Sequence, residues 1–231
     1  MIFGLDFTSA AFWSAFGAIM LANIVLSGDN AVVIAMAART LKPEQQKKAI
    51  FWGSAAAIVM RIVLTLAAIQ LLTMPYLKVI GAVLLVYIGV DLLKSGGDEE
   101  GHGKEINGMA AAIRTILVAD LVMSLDNVLA VAAAAKGNMP LLILGLIISI
   151  PLIVFGATLL TKVMERFPII ITIGAALLGF LAGEMLLTDP AVVGYFGEID
   201  HQIVTFASAI GAALVVVLGK TMQSKTAKES A

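Results

Sequence analysis

Apolar residues run along this chain in seven blocks, each close to or beyond the roughly 20 residues a helix needs to cross a bilayer. They cover about Ala10–Ala38, Ala49–Leu72, Tyr76–Leu93, Met109–Ala135, Pro140–Leu160, Phe167–Leu187 and Ile203–Leu218. The connections between them are short, and most carry charge or turn residues: RTLKPEQQKK, TMP, KSGGDEEGHGKEING, KGNM and TKVMER. The pattern predicts an all-α polytopic membrane protein with seven transmembrane helices. The first and fourth blocks are longer than a bilayer requires, which leaves room for tilt or an unwound turn.

One polar pattern occurs twice inside these runs. Asn23–Ala38 reads NIVLSGDNAVVIAMAA, and ninety-seven residues later Asp120–Ala135 reads DLVMSLDNVLAVAAAA, with seven of sixteen aligned positions identical. A second match pairs the third and sixth blocks, where Ile80-Gly-Ala-Val-Leu-Leu-Val-Tyr aligns with Ile173-Gly-Ala-Ala-Leu-Leu-Gly-Phe and sets Asp91 opposite Glu184. Three helices separate the copies, so the two triplets run in opposite directions. That is an inverted 3+3 repeat plus a C-terminal helix, the architecture in which secondary transporters place substrate near the midplane. The expected units are residues 1–95, a cytoplasmic linker at 96–108, the inverted repeat at 109–190, and a seventh helix with its tail at 191–231. The tail after Lys220 is polar and expected to be disordered. The Gly174–Gly179–Gly183 stripe predicts close helix packing.

Composition agrees with the pattern. The 231 residues are 60% hydrophobic and 13% charged, with a mean hydropathy of +1.01; a soluble domain is about 45–50% apolar and about 25% charged. A net charge of −1 gives no sign of nucleic-acid binding, and the absence of cysteine excludes disulfides, thiolate metal sites and cysteine nucleophiles. MIFGLDFTSA lacks a basic n-region and reads as the lead-in to a helix, not a signal peptide. Twelve Lys and Arg fall in the connections after blocks one, three and five, their helix ends and the tail; two, Lys78 and Lys136, fall on the other side. By the positive-inside rule the N-terminus is outside and the C-terminus cytoplasmic, in the cell membrane.

Carboxylates inside apolar runs are costly. Each central Asp costs about 2.5–3.5 kcal/mol on insertion scales, so Asp29, Asp120 and Asp126 left unpaired would cost on the order of 8–10 kcal/mol. They must be protonated, paired or bound to a cation. Asn23, Ser27 and Asn30 share one helical face, as do Asp120, Ser124 and Asn127, while Asp29 and Asp126 sit about 100° round from the last member of each set. Ser-Gly-Asp-Asn is also turn chemistry, and a local break at Ser27–Asn30 would turn Asp29 inward; Leu125 replaces the Gly in the second copy. No histidine lies in a span, so the available ligands are oxygens, which suit Mg²⁺, Ca²⁺ or Mn²⁺. Met123 is a softer contact or plain packing. Asn23, Asn30 and Asn127 are neutral ligands, helix bridges or caps. Arg61, the one base deep in a span, either pairs with a site acid when no cation is bound or ties two helices together. Asp91 and Glu184, nearer opposite ends of their helices, are uptake and release relays or solvated interfacial acids.

At NIVLSGDN and DLVMSLDN, with the three-helix spacing between them, the sequence resembles the TerC family of integral membrane proteins, in its small YjbE/YkoY-like branch, within the wider LysE-type exporter superfamily. The likeness covers nearly the whole chain. It implies export of manganese, as substrate rather than prosthetic group, and in bacteria the supply of Mn²⁺ to proteins beyond the membrane. The family's motif acids carry over to Asp29, Asp120 and Asp126. Where many members have Glu this chain has Asn23, one negative charge fewer. Expected partners are the lipid bilayer and a divalent cation, with a homo-oligomer left open. The rival readings are an amino-acid or small-molecule exporter of the LysE type and a membrane scaffold assisting insertion or metalation of secreted proteins. No nucleophile–base arrangement is visible, so no enzyme is expected.

Overall fold

Without water to take up backbone polar groups, an apolar chain satisfies them within helices. In the computed structural model the described residues are 8–26, 28–72, 74–94, 105–134 and 139–229, and they are overwhelmingly helical. Nine helices occur among them: α1 (Ala10–Leu26), α2 (Gly28–Ala38), α3 (Pro43–Leu72), α4 (Leu77–Lys94), α5 (Glu105–Ala134), α6 (Met139–Arg166), α7 (Ile169–Leu187), α8 (Pro190–Phe196) and α9 (His201–Glu229). Five stretches are long and apolar enough to cross a membrane: Pro43–Ala67, Gly108–Leu125, Pro140–Arg166, Ile169–Leu187 and His201–Lys225. α4 has comparable length but carries Lys78, Asp91 and Lys94. The break expected at Ser27–Asn30 falls partly outside the described residues: Ser27 is not among them, and Gly28–Asn30 form the first turn of α2. α5 runs without interruption through the second copy.

Three boundaries differ from the sequence reading. α9 continues as helix to Glu229, so the residues expected to be disordered after Lys220 are ordered up to that point. Lys, Met, Gln, Ala and Glu are good helix formers, and adding them to an existing helix needs no new nucleus. The polar run after Pro43 is likewise the start of α3, with proline at the first helical position, where its missing N–H costs nothing. α5 begins at Glu105, inside the stretch read as a linker.

α3 packs chiefly on α5, α7 on α9 and α4, and α6 on α1, α2 and α3. Small residues make the α7–α9 approach: a Cβ built on Gly183 would lie 2.6 Å from the Ala207 carbonyl oxygen. The buried core includes Ile19, Met36, Ile50, Leu85, Ile116, Leu146 and Leu178. The outer surface is apolar as well, with Trp52, Tyr87, Phe155 and Phe206 well exposed, an arrangement that suits lipid and would be a liability in water.

α4 is held at both ends by charges from elsewhere in the chain. At its C-terminus Arg39 Nη2 donates to the Leu92 carbonyl at 2.7 Å. At its N-terminus the buried Asp189 carboxylate accepts from the backbone N–H of Tyr76 (3.0 Å), Lys78 (3.0 Å) and Val79 (3.3 Å), while also capping α8 through Ala191 N–H at 2.7 Å. Anion at the N-terminus and cation at the C-terminus both complement the helix dipole. Burial works to raise the Asp189 pKa, but the four N–H donors outweigh it and hold the carboxyl below its ordinary range. Tyr76 sits at φ 65°, a left-handed conformation rare for a bulky residue, and its N–H bond to Asp189 fixes it there.

Candidate cation site

The long faces of α3 and α5 meet around an arginine. Arg61 on α3 is 2% exposed, and its Nη2 donates to Asp120 Oδ1 on α5 at 2.6 Å. Its Nε donates to Ser124 Oγ at 3.1 Å, and Ser124, one turn beyond Asp120, donates on to Asp120 Oδ2 at 3.3 Å. Thr65 Oγ1 donates to the Arg61 carbonyl at 2.7 Å, so the arginine's own turn is tied down too. A planar guanidinium offers fixed donors in a fork, which lets one side chain engage both a carboxylate and a hydroxyl.

Asp29 stands apart from this pair but within its field: it feels the positive charge of Arg61 and the negative charge of Asp120. It lies in the first turn of α2, and its Oδ1 accepts from Asn30 N–H at 2.8 Å. Asp29 opens onto a cavity of about 230 Å³, lined also by Lys78, Leu85, Met123, Leu181, Glu184, Met185 and Thr188. Lys78 Nζ donates to Thr188 Oγ1 at 3.4 Å where the N-terminus of α4 approaches the C-terminus of α7. The cavity therefore extends from that corner to Asp29 and Met123. A second cavity, of about 500 Å³, lies between α4 and α5 and is lined by Tyr87, Asp91, Arg114 and Thr115, among others.

The expected residues thus divide. Asp120, Ser124 and Arg61 form one buried cluster, and Asp29 and Glu184 share the smaller cavity. Asp91 lines the other. Asn30 is buried on α2. The side chains of Asn23, Asp126 and Asn127 lie outside those described, as does all of Ser27. Among the described residues no three His, Cys, Asp or Glu side chains gather closely enough to hold a metal ion. Lys78, Thr188 and Met185 were not singled out from the sequence: one reads as an interfacial base, one as a turn residue and one as packing. The α4–α7 approach places them in the wall of the cavity that Asp29 also lines.

The profile of the TerC family of integral membrane proteins matches residues 8–229. The chain is 45% identical over 167 residues to the uncharacterized membrane protein YjbE of Bacillus subtilis, covering 72% of this chain and 76% of that one. YkoY of the same organism is 26% identical over 206 residues, covering 79% and 64%, and its YceF 25% identical over 226 residues, covering 94% and 85%. No solved structure matches.

Proposed function

The chain belongs to the TerC family of integral membrane proteins, and we propose that this multi-pass membrane protein exports a divalent cation, manganese foremost, from the cytoplasm by alternating access. The observation that carries the reading is the cavity lined by Asp29, Glu184 and Met123, the last a helical turn from Asp120 of the buried Arg61–Asp120 pair. Asp29, Asp120 and Asp126 would hold the ion, with Asn23 and Asn127 as neutral oxygen donors. Hard or borderline cations prefer such oxygens.

The packing supports a seven-span, inverted-repeat architecture in which α1 and α2 together count as one span. Exchanging α1/α2 with α5, α3 with α6 and α4 with α7 carries the contacts between the two triplets onto one another: α3 on α5 answers to α6 on α1 and α2, and α4 on α5 answers to α7 on α2. That exchange pairs Glu184 with Asp91, and we read the cavities these two acids line as the two mouths of one pathway. With the N-terminus outside, Lys78, Glu184 and Thr188 line the external mouth, and Asp91, Arg114 and Thr115 the cytoplasmic one. Carboxylates crowded at the centre repel one another when the ion leaves. Protonation from outside would relieve that repulsion, which makes proton antiport the coupling to test.

A second reading draws on the same cavity. Lys78 beside Asp29 and Glu184 gives it both charge signs, which would suit the ammonium and carboxylate of a small amino acid. Flux into proteoliposomes separates the two. Uptake of Mn²⁺ above Mg²⁺, Ca²⁺ and Zn²⁺, lost in Asp29→Asn, is the expected result. Movement of a labelled amino acid with no metal flux would overturn the cation reading.

A further inference from the structure

A site that collects cations gains nothing in affinity from a buried arginine at its centre. Arg61 is nonetheless almost wholly enclosed, and its fork engages Asp120 and Ser124. The other motif copy shows that helix packing does not require it. The copies stand 97 residues apart and the α4/α7 match 93 apart, so the place on α6 answering to Arg61 lies at 154–158, which reads Val-Phe-Gly-Ala-Thr. No base occurs there, and Asn23 replaces the acid such a base would face. α6 still packs on α1 and α2. Acid and base are present together in one copy and absent together in the other.

We infer that Arg61 is a tethered stand-in for the transported cation: it holds Asp120 while the carrier is empty and gives that carboxylate up to the incoming ion. The inference rests on the export reading. Among the described residues the charged groups nearest the pair are Asp29 from α2 and, along the cavity that Asp29 lines, Lys78 from α4 and Glu184 from α7. An ion reaching Asp29 arrives beside a carboxylate already turned toward a positive charge, so Asp120 needs only to change partner. Ser124 touches both members and keeps a hydrogen bond to whichever remains. When the ion leaves, the guanidinium returns, and the empty carrier reorients without a bare carboxylate at Asp120. The arginine weakens binding and hastens release.

The test uses full-length protein in lipid nanodiscs for Mn²⁺ binding and in proteoliposomes for Mn²⁺ flux. Arg61→Gln should bind Mn²⁺ about tenfold tighter or more and turn over at least about tenfold more slowly, because the competitor is gone. Arg61→Lys keeps the charge but loses the fork, and should fall between wild type and Arg61→Gln in both. A folded Arg61→Gln protein with unchanged or weaker binding overturns the inference and leaves the arginine as a helix tie. Should that variant fail to fold, the wild type decides by infrared difference spectroscopy with ¹³C-guanidino arginine. The chain has four arginines, at 39, 61, 114 and 166. A guanidinium band that shifts on adding Mn²⁺, and is missing in Arg61→Lys, supports the inference. Flux with no moving band overturns it while leaving export intact. Absence of both Mn²⁺ binding and flux in the wild type overturns export and the inference together.

Discussion

Asp120 on α5 and Asn23 on α1 hold the same place in the two motif copies, but the two places differ in charge. Asp120 is locked into a buried ion pair that reaches across to α3. Asn23 is neutral and stands in the copy whose packing helix, α6, is apolar at the matching turn. Counting acids alone makes the site look one carboxylate short of symmetric. Counting the arginine as well, the two positions carry the same net charge. The difference teaches that charge at a membrane site is balanced locally, position by position, because the cost of burying a charge is offset only by a close, hydrogen-bonded partner.

The largest effect should come from splitting the pair. Asp120→Asn leaves a buried arginine that cannot lose its proton, and the protein should lose about 3–5 kcal/mol of stability. Thermal unfolding in detergent, with Arg61→Met added to restore neutrality, checks this. Failure of the second substitution to recover stability would break the paired account. The equivalent change in the other copy, Asn23→Ala, should cost far less.

Next come the acids the two copies share. Asp29→Asn and Asp126→Asn should each abolish manganese efflux at matched expression while insertion and melting temperature hold, since a carboxamide keeps shape and loses charge. Wild-type efflux in either would make that acid structural.

Asn23→Asp adds an acid to the copy that lacks one, with no arginine to meet it. If the position faces the ion, manganese should bind on the order of tenfold tighter, about 1.4 kcal/mol, and leave more slowly, lowering both KM and maximal rate. An unchanged dissociation constant in a folded variant would remove Asn23 from the site.

The smallest effect belongs to the two mouths. Glu184→Gln and Asp91→Asn alter exposed acids, where one charge is worth about 1 kcal/mol at most. Each should raise KM less than about fivefold. In inside-out and right-side-out vesicles the two should act from opposite faces; equal effects from one face would break the assignment of mouths.

That the chain is helical and spans a membrane was readable, and so was the anomaly of Arg61 and Asp120 inside apolar runs, because both rest on one-dimensional costs: unsatisfied backbone and buried charge. Partners were not. Arg61 stood out as anomalous, but its choice of Asp120, 59 residues away, depends on the rotational register of α3 against α5. Asp189 was harder still. In Thr-Asp-Pro it has the look of an ordinary turn residue, and nothing local indicates that it caps α4 from more than a hundred positions away. The tail differs for the opposite reason: its polarity suggests disorder, but the helix propensity of its residues carries α9 on to Glu229.

The clamps on α4 carry a mechanical consequence. Backbone groups at a helix terminus lie close to its axis, and α4 is gripped there at both ends, by Asp189 from the α7–α8 corner and by Arg39 from the end of α2. A rod gripped on its axis resists sliding far more than turning. α4 is therefore pinned along its length, which keeps Lys78 and Asp91, near its opposite ends, a fixed distance apart.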